Sequence, residues 1–153
     1  MHLENKVVII TGGGSGIGAA AANLLAKHRA LVIVADLNMV NAKSVADQIN
    51  SAGGNAFAIQ VDVSNFNEVE LLINQTIEDH GKLDVMINNA GIGGENQKKT
   101  AEHTLEDWDN VIAVNQTGVF YCMKVALGHM MKQGYGNIIN IASLAGLKPS
   151  GYN

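Results

Sequence analysis

The sequence predicts an α/β domain built on a doubly wound parallel sheet. Short apolar runs alternate with longer stretches of helical periodicity, and a glycine-rich turn follows the first apolar run. Strands that are apolar on both faces and separated by helices are typical of parallel sheets covered on both sides. Right-handed crossovers then wind the helices onto the two faces. We expect residues 1–153 to form one domain, because 153 residues with 47% hydrophobic content can bury a sizeable core.

The predicted elements alternate along the chain. The predicted strands are Lys6–Thr11, Leu31–Ala35, Ala56–Val61, Leu83–Asn88 and Gly136–Ala142. The predicted helices are Gly16–His28, Val40–Ala52, a helix near Asn65–His80, Thr104–Asn115 and Gly118–Lys132. Gly53-Gly54 and Gly81 are typical helix ends, Ser64 is a candidate N-cap, and a polar loop spans Ile92–His103. The helix Gly118–Lys132 is apolar nearly all round, so we expect it to meet another subunit or further chain.

Composition narrows the function classes. The net charge of −4 and the lack of a basic stripe argue against a nucleic-acid partner. Cys122 is the single cysteine, which fits a reducing, cytoplasmic setting, and the five histidines show no metal-ligand spacing. No apolar run approaches the ~18 residues of a membrane span. The acidic residues at the start of a helix, Glu102, Glu106, Asp107 and Asp109, are explained by the helix dipole.

A glycine turn, Thr11–Gly18, joins the first strand to the first helix. Free backbone N–H groups and the positive end of the helix meet there, which suits a pyrophosphate. Gly12 would permit the tight turn, Gly16 would let a phosphate approach the backbone, and Gly18 would let the helix pack closely. The alternative is a glycine-rich turn without a ligand.

Asp36 stands at the end of the second strand, eighteen residues after Gly18. A carboxylate at this place hydrogen-bonds the ribose hydroxyls of NAD and repels the additional phosphate of NADP. The nearby residues Ser15, Leu37 and Asn38 offer no compensating cation. We therefore predict NAD as the cofactor, the alternative being that Asp36 only caps the following turn.

Two further motifs follow later strands, Asp62-Val63 and Asn88-Asn89-Ala90-Gly91. With Thr11–Gly18 and Asp36, they make the chain resemble the short-chain dehydrogenase/reductase family from Lys6 to the last residue. The resemblance implies a Rossmann-like sheet, of which this chain holds strands one to five of the family's seven. It also implies an oxidoreductase that transfers a hydride between NAD(H) and a secondary alcohol or ketone.

The resemblance also implies site residues. Ser15, Gly16 and Ile17 of the turn would contact the cofactor, Asp62 and Val63 would line the adenine pocket, and Asn89, Ala90 and Gly91 would close the cleft. Asn115 would bend its helix and hold a water of the proton relay, and Ser143 would hydrogen-bond the substrate oxygen. Without the family, Asn115 is equally well a helix end cap, and Ser143 is a cap at a strand end.

The family's proton-donating Tyr-x-x-x-Lys pair is expected beyond Asn153. Tyr152, nine residues after Ser143, lacks the matching lysine and better fits a loop over the substrate pocket. We expect the chain to be the N-terminal part of a longer enzyme that is a homodimer or homotetramer through residues 118–132. The rival hypothesis is an inactive NAD-binding or partner-binding fragment. An S-adenosylmethionine methyltransferase is disfavoured by Asn88–Gly91 together with Ser143.

Overall fold

Five strands and five α-helices alternate in the computed structural model, which describes residues 3–95 and 98–146. The strands are β1 (Val7–Thr11), β2 (Leu31–Asp36), β3 (Asn55–Gln60), β4 (Val85–Asn88) and β5 (Asn137–Asn140). The helices are α1 (Gly16–Lys27), α2 (Met39–Ser51), α3 (Phe66–His80), α4 (Leu105–Ile112) and α5 (Val119–Gln133). A π-helical segment (Ala113–Gly118) joins α4 to α5, and short 3₁₀ turns occupy Thr100–Glu102 and Leu144–Gly146.

The five strands form one parallel sheet in the order β3-β2-β1-β4-β5. This confirms the predicted doubly wound fold. The chain moves outward from β1 to β2 and β3, and then returns to place β4 on the other side of β1. The strand order therefore reverses between β1 and β4, which opens a crevice at the carboxyl ends of these two strands.

Helices cover both faces of the sheet. Alternate residues of β1 point to opposite faces, so that Ile9 joins one buried cluster while Val8 and Ile10 join the other. The first cluster includes residues of α3 and α5, and the second includes residues of α1 and α2. This double burial explains why the central strands are apolar at consecutive positions.

The region predicted as two helices, Thr104–Asn115 and Gly118–Lys132, is one continuous helical stretch. It runs from Leu105 to Gln133 through the π-helical segment, which inserts one additional residue into the turn. Gly118 lies against the loop after β3, where an added Cβ would meet Val63 Cγ2 at 2.9 Å. The sequence predicts a break at residues 115–118 because Asn and Gly commonly end helices, whereas in the structure Gly118 allows close packing.

The continuous helix also corrects the expectation about apolar length. Among the described residues, the helical stretch Leu105–Gln133 contains an 18-residue window with a mean hydropathy of 1.2, so it is long and apolar enough to cross a membrane by length and composition. In this fold, one face of α5 packs against the sheet through buried Cys122, Val125, Ala126 and Met130.

The opposite face of α5 is open. Phe120 is 55% exposed and Met131 is 79% exposed. β5 pairs with β4 along one edge, and three of its four residues are exposed. It spans Asn137–Asn140 and is shorter than the predicted Gly136–Ala142.

Candidate functional site

Thr11 and Asn89 fasten the carboxyl ends of β1 and β4 to each other. The Thr11 hydroxyl accepts hydrogen bonds from the Asn89 and Ala90 amides, each at 3.1 Å. The Asn89 side-chain amide donates to the Thr11 carbonyl at 3.0 Å and to the Gly12 carbonyl at 3.2 Å. The crevice at the reversal of strand order is therefore held by side chains as well as by the sheet.

Three glycines shape the turn after β1. Gly12 has a φ of +62°, and a Cβ there would lie 2.9 Å from the Ala90 Cα. A Cβ on Gly18 would lie 2.1 Å from the Gly12 carbonyl oxygen, so α1 approaches the turn more closely than any side chain allows. Gly16 has no described atom within 4 Å of its Cβ position and borders open space.

The N-terminus of α1 faces this open space. Ser15 is the N-cap residue, and its exposed side chain makes no capping hydrogen bond within the described residues. The first turn of α1 contains no acidic residue. The first amides of α1 and the positive end of its dipole are thus suited to an anion.

Asp36 lies at the end of β2 with its carboxylate fixed by two backbone amides. Its Oδ2 accepts from Gly14 N at 2.8 Å, and its Oδ1 accepts from Asn38 N at 2.9 Å. The carboxylate therefore caps the following turn, as the alternative interpretation held, and also lines the crevice. The two roles are compatible because each carboxylate oxygen can accept more than one hydrogen bond.

Asp62 follows β3 and is fixed in a similar way. Its Oδ1 accepts from the Ser64 amide at 2.9 Å and from the Ser64 hydroxyl at 2.7 Å, while its own amide donates to Glu68. The N-cap of α3 is Asn65, whose side chain accepts from Asn67 N, so the prediction of Ser64 as the cap was wrong. The Ser64 hydroxyl instead donates to the Asp62 carboxylate, two residues before it in the chain. Such local hydrogen bonds compete with helix capping and are typical of serine near the start of a helix.

These residues enclose a cleft of about 390 Å³. Its lining contains Gly12, Ser15, Gly16, Ile17, Asp36, Leu37, Val61, Asp62, Val63, Asn89, Ala90, Gly91, Ile92 and Val114. Every residue predicted from the sequence to contact the cofactor is therefore at the cleft, except Gly18, which lies behind the turn. Four of the residues, Leu37, Val61, Ile92 and Val114, were not assigned to the site from the sequence. All four adjoin a residue that the sequence assigns to the site, which is the available signal; Val114 adjoins Asn115 in the helical stretch.

Asn115 lies in the π-helical segment and holds the loop that leaves β4. Its Oδ1 accepts from Ile92 N at 2.9 Å, and its Nδ2 donates to Ile92 O at 2.8 Å. The helix continues past Asn115, so the end-cap alternative is wrong. Asn115 contributes to the cleft indirectly, by fixing Ile92 in its wall.

Residues 6–152 match the family profile described as short chain dehydrogenase. The chain belongs to the short-chain dehydrogenase/reductase family. It is 41% identical over 155 residues to the 2,5-dichloro-2,5-cyclohexadiene-1,4-diol dehydrogenase of Sphingobium indicum, covering 99% of this chain and 60% of the relative. It is 38% identical to the meso-2,3-butanediol dehydrogenase of Serratia marcescens, covering 96% of this chain and 57% of the relative.

A solved structure gives the same result. The crystal structure of an NAD⁺-bound xylitol dehydrogenase superimposes with a TM-score of 0.93 at 30% identity, covering 98% of this chain and 57% of that one. The chain therefore spans about three fifths or less of the length of the two relatives and of the xylitol dehydrogenase chain.

Ser143 follows β5 and lies outside the residues that line the cleft of this family member. It is exposed, and its carbonyl accepts from Gly146 N at 3.1 Å. At the end of β4, Asn88 Nδ2 donates to Asn140 Oδ1 at 2.7 Å and so links β4 to β5. Asn88 Oδ1 is buried and has no hydrogen-bond partner among the described residues. Tyr152 lies outside the described residues.

The charge of the cleft is negative. Asp36 and Asp62 line it, and the lining that the structure describes contains no lysine or arginine. Cys122 is buried in α5, and this burial raises the pKa of the thiol to about 12. The thiol is therefore protonated at neutral pH and is a poor nucleophile.

Proposed function

We propose that this chain provides the NAD-binding part of an oxidoreductase that transfers a hydride between NAD(H) and a secondary alcohol or ketone. The observation that carries the proposal is the cleft where β1, β2 and β4 end. It combines an open helix N-terminus, a fixed carboxylate and a wall of closely packed backbone. Its volume of about 390 Å³ falls in the range of small-molecule sites.

The sheet order supports one direction for the cofactor. Asp36 stands on the β2 side of the glycine turn, so it would hydrogen-bond the adenosine ribose, with Asp62 and Val63 beside the adenine. The pyrophosphate would lie on the amides of Ser15 to Ile17 at the start of α1. The nicotinamide end would then reach Ala90, Gly91 and Ile92 on the β4 side. Bound NAD supplies the hydride-accepting ring, and the chain supplies orientation.

Ser143 is the proposed substrate contact, because β5 is the next strand beyond β4 in the sheet. Its hydroxyl would donate a hydrogen bond to the carbonyl oxygen of the substrate. Asn115 would hold Ile92 and the relay water, and the proton donor would be the family's Tyr-x-x-x-Lys pair. The names of two relatives, a cyclohexadiene diol dehydrogenase and a butanediol dehydrogenase, support small secondary alcohols and diols as substrates.

NAD is preferred over NADP in this proposal because of Asp36. Its carboxylate already accepts hydrogen bonds from two backbone amides, which hold it in place. A 2′-phosphate would stand beside this charge without a lysine or arginine in the described lining. Like-charge juxtaposition costs several kcal/mol, so NADH should bind at least about tenfold more tightly than NADPH.

Fluorescence titration of the chain with NADH and NADPH tests this cofactor preference. Asp36→Asn should reduce the ratio of the two affinities, because it removes the charge but keeps the size of the side chain. Asp47→Asn is the matched control, since Asp47 is exposed on α2 and paired with Lys43. Equal binding of NADH and NADPH to the unaltered chain would contradict the proposed preference.

The second candidate function is a cofactor-binding or partner-binding fragment without catalysis. The open apolar face of α5, with Phe120 and Met131 exposed, favours this reading. The same face is the proposed contact of a homodimer or homotetramer, and a cytoplasmic setting fits the single thiol. A panel of small diols and ketones separates the candidates. In a protein that carries the expected Tyr-x-x-x-Lys pair beyond Asn153, NADH binding with turnover that Ser143→Ala abolishes supports the enzyme, whereas NADH binding without turnover supports the fragment.

A further inference from the structure

The loop between β4 and α4 is closed at its neck by one carboxylate. Asp107 Oδ1 accepts from Glu95 N at 3.0 Å on the side where the loop leaves the cleft. Asp107 Oδ2 meets His103 Nδ1 at 2.5 Å on the side where the chain returns to α4.

The surroundings of Asp107 fix its carboxylate between Glu95 and His103. Its side chain is 15% exposed, and its own amide donates to Thr104 Oγ1 at 3.0 Å, which fixes the first turn of α4. Gly94 has a φ of +67°, and a Cβ there would lie 3.1 Å from both Asp107 oxygens. The backbone of Gly94 and Glu95 therefore wraps around the carboxylate at a distance that a side chain on Gly94 would disturb.

A second fastening lies closer to the cleft. Asn115 makes its two hydrogen bonds to the backbone of Ile92, and Ile92 lines the cleft. Asp107 and Asn115 belong to the same helical stretch, so the strap Gly91–Glu95 is held at two points of one rigid element. Asn115 holds its start and Asp107 holds its end.

The charged groups near Asp107 do not replace its contacts with Glu95 and His103. Glu95 pairs with Lys98, and Glu102 accepts from Lys99 N. Asp109 is exposed on the next turn of α4. Within the described residues, the His103 imidazole and the Glu95 amide are therefore the hydrogen-bond partners of the Asp107 carboxylate.

We propose that Asp107 is a positioning residue that sets the nicotinamide side of the cleft by holding the strap Gly91–Glu95 against α4. The inference rests on the proposed function for the direction of the cofactor. Asp107 does not line the cleft, so it would act on the cofactor site through Glu95 and the strap. The adenosine side, at Asp36, lies on the other side of β1 and is independent of this contact.

The test compares NADH with ADP-ribose, which lacks the nicotinamide ring. Asp107→Ala should weaken NADH binding by about tenfold, the effect of losing a charge-assisted hydrogen bond, and leave ADP-ribose affinity unchanged within about twofold. Asp109→Ala is the matched control and should change neither affinity. Equal losses for both ligands, or no loss for NADH, would overturn the proposal.

A second variant guards against misfolding. Asp107→Asn keeps one oxygen acceptor for Glu95 N while it removes the charge, so it should weaken NADH binding by less than Asp107→Ala does. If the unaltered chain binds neither ligand, the proposed function fails, and the strap is then judged by hydrogen exchange. The Glu95 amide should exchange about tenfold faster in Asp107→Ala. Unchanged exchange at Glu95 would overturn the role of Asp107.

Discussion

Gly18→Ala should destabilise the chain through a collision between α1 and the glycine turn. The new methyl carbon would lie 2.1 Å from the Gly12 carbonyl oxygen and 2.6 Å from Asn89 Nδ2. Neither group can swing away, because Gly12 is backbone and Asn89 is bound to the Thr11 and Gly12 carbonyls. The helix must therefore move outward by roughly 1 Å to restore an ordinary contact.

The expected loss of unfolding free energy is about 2–3 kcal/mol. Overpacking of a closely packed site costs about 1–3 kcal/mol, and a backbone obstacle places this site at the upper end. Alanine gains up to about 1 kcal/mol of helix propensity over glycine, which offsets part of the loss. The outward shift of α1 should also displace its N-terminal amides and weaken NADH binding.

Urea unfolding followed by circular dichroism measures the change in stability. Gly128→Ala is the matched control, because Gly128 is exposed in α5 and has no described atom within 4 Å of its Cβ position. It should stabilise the chain by up to about 1 kcal/mol. A Gly18→Ala protein as stable as the unaltered chain would refute the argument from close approach.

Three further predictions concern single side chains. Burial would raise the pKa of Asp84, but hydrogen bonds from Lys6, the Val7 amide and Lys82 hold that pKa below its usual range. The contribution of the Asp84 carboxylate to the free energy of unfolding should therefore be present above about pH 4 and be lost as the pH falls towards the folded pKa. Asp84→Asn, measured by urea unfolding, should lower the free energy of unfolding by about 1.5–3 kcal/mol at pH 7 and leave it unchanged in strong acid. Thr11→Val should cost about 1–3 kcal/mol because two amides lose their acceptor, whereas Thr11→Ser should retain most of the stability, and equal losses would contradict the role of the hydroxyl. Cys122, whose pKa is about 12, should resist iodoacetamide at pH 8 until the chain unfolds, and rapid native labelling would contradict its burial.

The strands could be predicted from the sequence because burial on both faces leaves a direct pattern. Val7 to Thr11 are all buried, and the sequence shows this as an unbroken apolar run ending in a small polar residue. The join between α4 and α5 could not be predicted in the same way. Gly118 is a common signal for a helix end, but its purpose in this fold is contact with Val63, which is 55 residues away in the chain.

The residues of the candidate site likewise divide into those that the sequence could predict and those that it could not. Gly12, Asp36 and Asn89 each follow a strand directly, so the parallel topology brings them to one edge without further information. Asp107 does not follow a strand, and its acidic neighbours made the helix dipole a sufficient explanation. Its contacts with Glu95 and His103 depend on how the loop folds back, which no local periodicity records.

The placement of carboxylates supports the proposal that the cofactor phosphates lie in the middle of the cleft. Asp36 stands on the β2 side and is fixed by the Gly14 and Asn38 amides, so a phosphate beside it would meet a negative charge that cannot turn away. On the opposite side, the Asp107 carboxylate is satisfied by Glu95 and His103 and is used to hold the strap. The start of α1 lies between them, with its amides open and no acid in its first turn. An anion in the cleft should therefore be attracted to the glycine turn and repelled from Asp36, and this contrast supports the proposed preference for NAD over NADP.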